Sequence, residues 1–151
     1  MEIKNISTLV LRVLLGIVFF VPGWQDITNP KFSADAFLTK VAYGPLQNVY
    51  HGMAGNPAIS ALVAWGLLLI GLCLMLGAFV KLASVLGIIQ MALFYFARFP
   101  PQHNLIDEHI IYAAAMLVLF AMNAGRFAGL DKYLANTTFA EENSWFKNLL
   151  G

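Results

Sequence analysis

Every residue from Ala58 to Phe79, AISALVAWGLLLIGLCLMLGAF, is uncharged. A helix needs about 20 mainly apolar residues to cross the hydrocarbon core of a bilayer, so this run is long enough to span one. Three further stretches repeat the pattern: Ile6–Trp24, interrupted only by Arg12, then Leu82–Phe99, then Leu105–Ala124. Lys81 marks the turn between the second and third, and Pro100-Pro101 stops the third, because proline removes donors and disfavours helix before it. Gly125 supplies a stop after the fourth. Hydrophobic residues make up 60% of the chain and charged ones 11%, against about 45–50% and about 25% in soluble domains. A soluble fold of 151 residues cannot hide that much apolar surface. The expectation is an all-α integral membrane protein of one domain, a four-transmembrane-helix bundle spanning 6–24, 58–79, 82–99 and 105–124.

Net charge is +1, which offers no attraction for nucleic acid. The single cysteine, Cys73, lies in an apolar run and has no partner for an intrachain disulfide. The first span is read as retained, since Pro22-Gly23-Trp24-Gln25 lacks a small-residue cleavage pattern. Basic residues favour the cytoplasm. Lys4, Lys81, Arg126, Lys132 and Lys147 fall on one side, Lys31, Lys40 and Arg98 on the other. Both termini, including the tail 125–151, are therefore expected in the cytoplasm of a multi-pass plasma-membrane protein, with loop 25–57 outside. In that loop Ser33 is an N-cap residue, and Ala36, Phe37, Val41 and then Leu46, Val49, Tyr50, Met53 follow helical spacing. Short amphipathic helices over the outer mouth are expected there, or interfacial anchoring by Phe37, Tyr43 and Tyr50.

Charge at membrane depth is costly, so each polar residue in a span needs an account. Arg12 shares a face with Thr8, Gly16, Phe19 and Gly23. Either that small-residue face turns inward, or the guanidinium snorkels to headgroups. In the third span Ser84, Gly87, Gln90, Phe94 and Arg98 share a face. Gln90 can bond a neighbouring helix or a ligand, and Arg98 is the nearest counter-charge for Asp107 and Glu108. The fourth span opens with NLIDEHIIYAAAMLVLF. Asn104 with Asp107 reads as an N-cap with a reciprocal acid. His109 is not explained by capping; with Tyr112, Met116, Leu119 and Asn123 it forms one helix face. An imidazole beside carboxylates and a phenol can exchange the protons of a quinol couple. The alternative is a helix-ending cluster bonded to the outer loop.

The stretches LRVLLGIVFFVPGW, VAWGLLLIGLCLMLGAFVKLAS, LIDEHIIYAAAMLVLF and AGRFAGLDKYL, in that order, resemble the DoxX/DoxD family of small four-helix membrane proteins, over about residues 8–134. LIDEHIIYA with GRFAGLD leans to the DoxD side. The resemblance implies a membrane subunit of a thiosulfate:quinone oxidoreductase or a related quinol oxidase. It matches the family's first-helix arginine to Arg12 and its acid–histidine helix start to Asp107–His109. The family's arginine after the second helix is Lys81 here, which lacks the planar fork for bidentate anion binding.

Three histidines, His51, His103 and His109, and one cysteine do not encode a haem or iron–sulfur site, and no flavin or metal site is expected. The resulting expectation is a quinone-binding subunit in which exchangeable quinone is the cofactor. Electrons come from a sulfur oxyanion at the outer face. Arg98 steers the anion, and His109 with Asp107 or Glu108 handles protons. Tyr112 and Trp24 border the ring site, with Gln25, Arg12 and Gln90 as further binding candidates and Trp65 a lesser one. Expected partners are the bilayer and either a second subunit or further copies of the chain, through GRFAG and the Ala113–Ala115 patch. A non-catalytic anchor for a soluble redox protein is the alternative, and a small-solute carrier ranks below both.

Overall fold

The computed structural model describes residues 3–101 and 105–151. The regular elements among them are helical, apart from an isolated bridge between Tyr43 and Arg98. Three helices are long and apolar enough to cross a membrane: α1 (Ile3–Thr28), α3 (Pro57–Leu76) and α4 (Val80–Ala97). A short helix α2 (Gln47–Met53) and a π-helical turn (Phe37–Val41) lie between α1 and α3. Helix α5 (Glu108–Ala121) has 14 residues, roughly 21 Å of rise, less than the roughly 30 Å of a hydrocarbon core. The expected fourth span 105–124 is thus shortened at both ends. His103 and Asn104 lie outside the described residues. Asp107 is the N-cap of α5, its carboxylate accepting from His109 N and Ile110 N, rather than the reciprocal acid of a cap at 104.

Local chemistry sets the ends of α3. Asn56 caps it through a 3.0 Å bond from Ala58 N, with Pro57 at the first helical position. Gly77 ends it in the left-handed region at φ 67°, a conformation that costs glycine little.

Helices α1 and α3 pack backbone to backbone. A Cβ on Gly16 would lie 2.7 Å from Met75 Cγ, and Cβ atoms on Gly23 and Gly71 would overlap the backbones of Leu68 and Phe20. Small residues permit this approach, which gains dispersion contacts that a lipid-facing surface cannot. The face Thr8, Arg12, Gly16, Phe19, Gly23 is buried along its length. Helix α4 lies along α5, where Gly87 leaves room for the sulfur of Met116. The core between α1, α3, α4 and α5 holds Leu15, Phe19, Leu74, Val80, Met116 and Leu119.

At one end of the bundle, the hat end, the loop after α1 packs Ala34, Leu38, Ala42 and Tyr50 against Ala97. Tyr50 also donates a 2.8 Å bond to Leu93 O. At the opposite, tail end, α6 (Asp131–Leu134), α7 (Thr138–Glu142) and α8 (Ser144–Leu149) fold back on the bundle. Ala140 and Leu150 are fully buried, and Phe146 meets Phe79 edge to face at 5.7 Å.

Candidate functional site

The hat end carries a carboxylate–imidazole pair. Asp107 Oδ2 lies 2.8 Å from His109 Nδ1, while its Oδ1 accepts from His109 N at 3.0 Å and Ile110 N at 3.2 Å. One side chain thus caps α5 and fixes the imidazole. Burial pushes the Asp107 carboxyl up, but the hydrogen bonds from His109 and Ile110 outweigh it and hold the group below its ordinary value. The His109 side chain is 13% exposed. Its ring stands edge-on to Phe94 at 5.9 Å, and Phe94 in turn meets Phe37 at 5.5 Å. The imidazole therefore points at the α4 packing surface and not at open lipid or water.

The other expected site residues scatter. Tyr112 packs on Phe19 at 6.1 Å, in the α1–α5 seam. Glu108 is exposed. Arg98 is exposed too, and the expected ion pair with Asp107 or Glu108 does not form: among the described residues the one close acid–base pair is Asp107–His109. Arg98 is held instead by its backbone, at the bridge to Tyr43. Trp24 is 54% exposed and stacks on Phe20. Gln25 and Trp65 are exposed.

Between α3 and α4 lies an apolar groove of about 870 Å³. Val63, Gly66, Ile70 and Cys73 form its α3 wall, and Leu86, Gln90 and Phe94 its α4 wall; Phe37 and Tyr50 close the hat end. Gln90 is the polar residue of that α4 wall. It is 8% exposed, its Nε2 donates to Val63 O at 3.2 Å, and its Oε1 is buried without a partner. His109 does not line the groove; Phe94 stands between them. Above it, a smaller cleft of about 370 Å³ is lined by Asp26, Asp35, Asn29, Asn56, Ser33 and Ser60. Two carboxylates and no basic side chain in that lining disfavour an anion there. Among the described residues no three His, Cys, Asp or Glu side chains converge on a metal position.

Arg12 lies at the far end of the molecule from His109. It is 1% exposed and donates to Ala124 O at 2.6 Å, Phe127 O at 3.0 Å and Ala128 O at 3.0 Å. Beside it, fully buried Asp131 accepts from Phe79 N at 2.6 Å, Val80 N at 3.0 Å and Gly151 N at 2.7 Å, capping α4 from a distant segment. Sequence reasoning missed Asp131. The available signal was a single acid closing the small-residue stretch AGRFAGLD. Within the chain, the glycines of that stretch allow close packing: Gly125 abuts Asp131 and Gly129 abuts Arg12. Tyr50, expected in a short helix over the outer mouth or as an interfacial anchor, lines the hat end of the groove.

The chain matches the DoxX family over residues 7–98, which takes in α1 to α4, the hat and Arg12 but stops short of Asp107 and His109. No curated protein and no solved structure gives a significant match. A match that covers the three long apolar helices, the hat packed on them and the groove between α3 and α4 makes this chain a membrane protein of the DoxX family.

Proposed function

We propose that this DoxX protein is the quinone-binding membrane subunit of a thiosulfate:quinone oxidoreductase-like enzyme. It would sit in a plasma membrane with both termini cytoplasmic and the hat outside. The observation that carries this reading is Phe94, one ring that walls the apolar groove and also takes the edge of His109. A groove that opens between two membrane helices admits a lipid-soluble quinone sideways from the bilayer. Reducing it takes two protons and two electrons, one from each of two thiosulfate ions, which join through a new S–S bond as tetrathionate. His109, with Nδ1 held by Asp107, has Nε2 left to give and take a proton beside that end of the groove. Arg98, exposed and in no ion pair among the described residues, is the group that would attract the anionic donor at the rim.

Purified chain in detergent, supplied with thiosulfate and a short-chain benzoquinone, tests the reading. Expected are quinone binding and thiosulfate-dependent reduction that His109→Ala abolishes without loss of folding. Turnover that survives His109→Ala would remove the proton role, and no quinone binding at all would remove the reading.

A second reading, a membrane anchor for a soluble redox protein, is favoured by the tail end, where Tyr133, Phe139 and Trp145 are 71%, 53% and 59% exposed. It predicts no quinone binding by the chain alone, together with capture of the redox partner that is lost on Trp145→Ala.

A further inference from the structure

Deepening the quinone reading, on which it rests, we infer that the α3–α4 groove holds the reduced, quinol form of its ligand in preference to the oxidised quinone. Gln90 Oε1 accepts one ring hydroxyl and Tyr50 Oη the other. The orientation of the Gln90 amide is fixed by its neighbour. Val63 O can only accept, so the nitrogen must face it, and the oxygen is the branch left over. That oxygen is buried, has no partner, and sits in a wall whose other membrane-depth groups are apolar. An acceptor stripped of water and unpaired is costly, and the cost is recovered only by a donor. Gly66 is the residue facing that oxygen: a Cβ there would come within 3.2 Å of Oε1 and crowd it.

Tyr50 reaches the same condition by another route. Its hydroxyl proton is spent on Leu93 O at 2.8 Å, so Oη of this groove-lining residue has only acceptor capacity left. Gln90 and Leu93 are three residues apart on α4, about 4.5 Å along the axis, so Gln90 and the Tyr50 hydroxyl bonded to Leu93 O stand at neighbouring levels of the groove. Asp26 at the mouth is a further acceptor. The carbonyls of an oxidised quinone offer these oxygens nothing, whereas the hydroxyls of a quinol satisfy them. Tighter binding of the reduced form also raises the potential of the bound couple, by about 30 mV for a tenfold preference in a two-electron reaction. That makes the bound quinone a better acceptor for a weak reductant.

The test is an anaerobic binding titration of the purified full chain with a decyl-substituted benzoquinol, the matching benzoquinone and the dimethyl ether of the quinol. The quinol is expected to bind about tenfold tighter than the other two. Gln90→Met should narrow the gap between quinol and ether severalfold, the Tyr50 bond remaining, and leave the ether unchanged. If quinol, quinone and ether bind alike, the inference is overturned while the quinone site stands. If none of them binds, both fall. A straight-chain alcohol of matching length that binds as tightly as the quinol would make the groove a general lipid cleft and overturn the inference. Should Gln90→Met not fold, the comparison of ligands on the unaltered chain decides alone.

Discussion

The guanidinium of Arg12 donates a 2.6 Å hydrogen bond to the carbonyl oxygen of Ala124, tying α1 to the segment that ends α5. The same group reaches Phe127 O and Ala128 O. Carbonyls beyond a helix C-terminus lack intrahelical donors and carry its partial negative charge, so a buried cation there satisfies both deficits. Asp131 adds a Coulombic attraction on Arg12 and spends its own oxygens on the first amides of α4. One buried cation and one buried anion thus join the tail-end termini of α1, α4 and α5.

Arg12→Ala should destabilise the fold by about 3–5 kcal/mol, since it strands three carbonyls and leaves Asp131 without its counter-charge. Arg12→Lys should recover only part of that loss, because one ammonium cannot reproduce the fork. Denaturant unfolding in detergent measures both. A loss below about 1 kcal/mol for alanine would mean the brace carries little of the stability.

Arg12 and Asp131 should be coupled. In a double-mutant cycle with Arg12→Gln and Asp131→Asn, the two losses should depart from additivity by about 0.5–3 kcal/mol. Additive losses would show that the carbonyl bonds and the α4 cap act separately.

Tight glycine contacts should be sensitive, and an open helical glycine indifferent. Gly71→Val and Gly23→Val force side chains into the facing backbone and should cost at least about 1–3 kcal/mol. Gly52, in α2, has nothing within 4 Å of a Cβ. Gly52→Ala should be neutral or stabilise by up to about 1 kcal/mol. Comparing thermal midpoints of the three variants checks the pattern.

Acid should weaken the hat end in a defined window. The carboxyl of Asp107 is held below its ordinary 3.8. A carboxylate with a lowered folded value stabilises fully above the unfolded value, and that contribution is lost as pH falls through the folded one. Stability traced from pH 6 downward should therefore be flat with respect to Asp107 until below about 4. Asp107→Asn keeps a capping oxygen but should abolish that acid-limb dependence. Asp107→Ala should also lose about 1 kcal/mol at neutral pH, as a cap does. An unchanged acid limb in Asp107→Asn would place the titration elsewhere.

The local order of the chain was legible from residues alone. The charge-free run Ala58–Phe79 and its neighbours located α1, α3 and α4, because only helices satisfy their own backbone in lipid. Asn56-Pro57 and Gly77 set the ends of α3 through local hydrogen bonds, and the 3.6-residue period put Thr8, Arg12, Gly16, Phe19 and Gly23 on one buried face. What tertiary structure alone decided is where those faces meet. Lipid is as apolar as the core, so hydrophobicity could not say that α3 leans on α1 and leaves a groove beside α4. Nor could spacing announce that Arg12 would find Ala124, that Asp131 would cap α4, or that α5 would begin at Asp107. Arg12–Ala124 and Asp131–Val80 join residues more than 50 positions apart. Their energy exists only once the helices have packed and water has been excluded, so no local pattern encodes it.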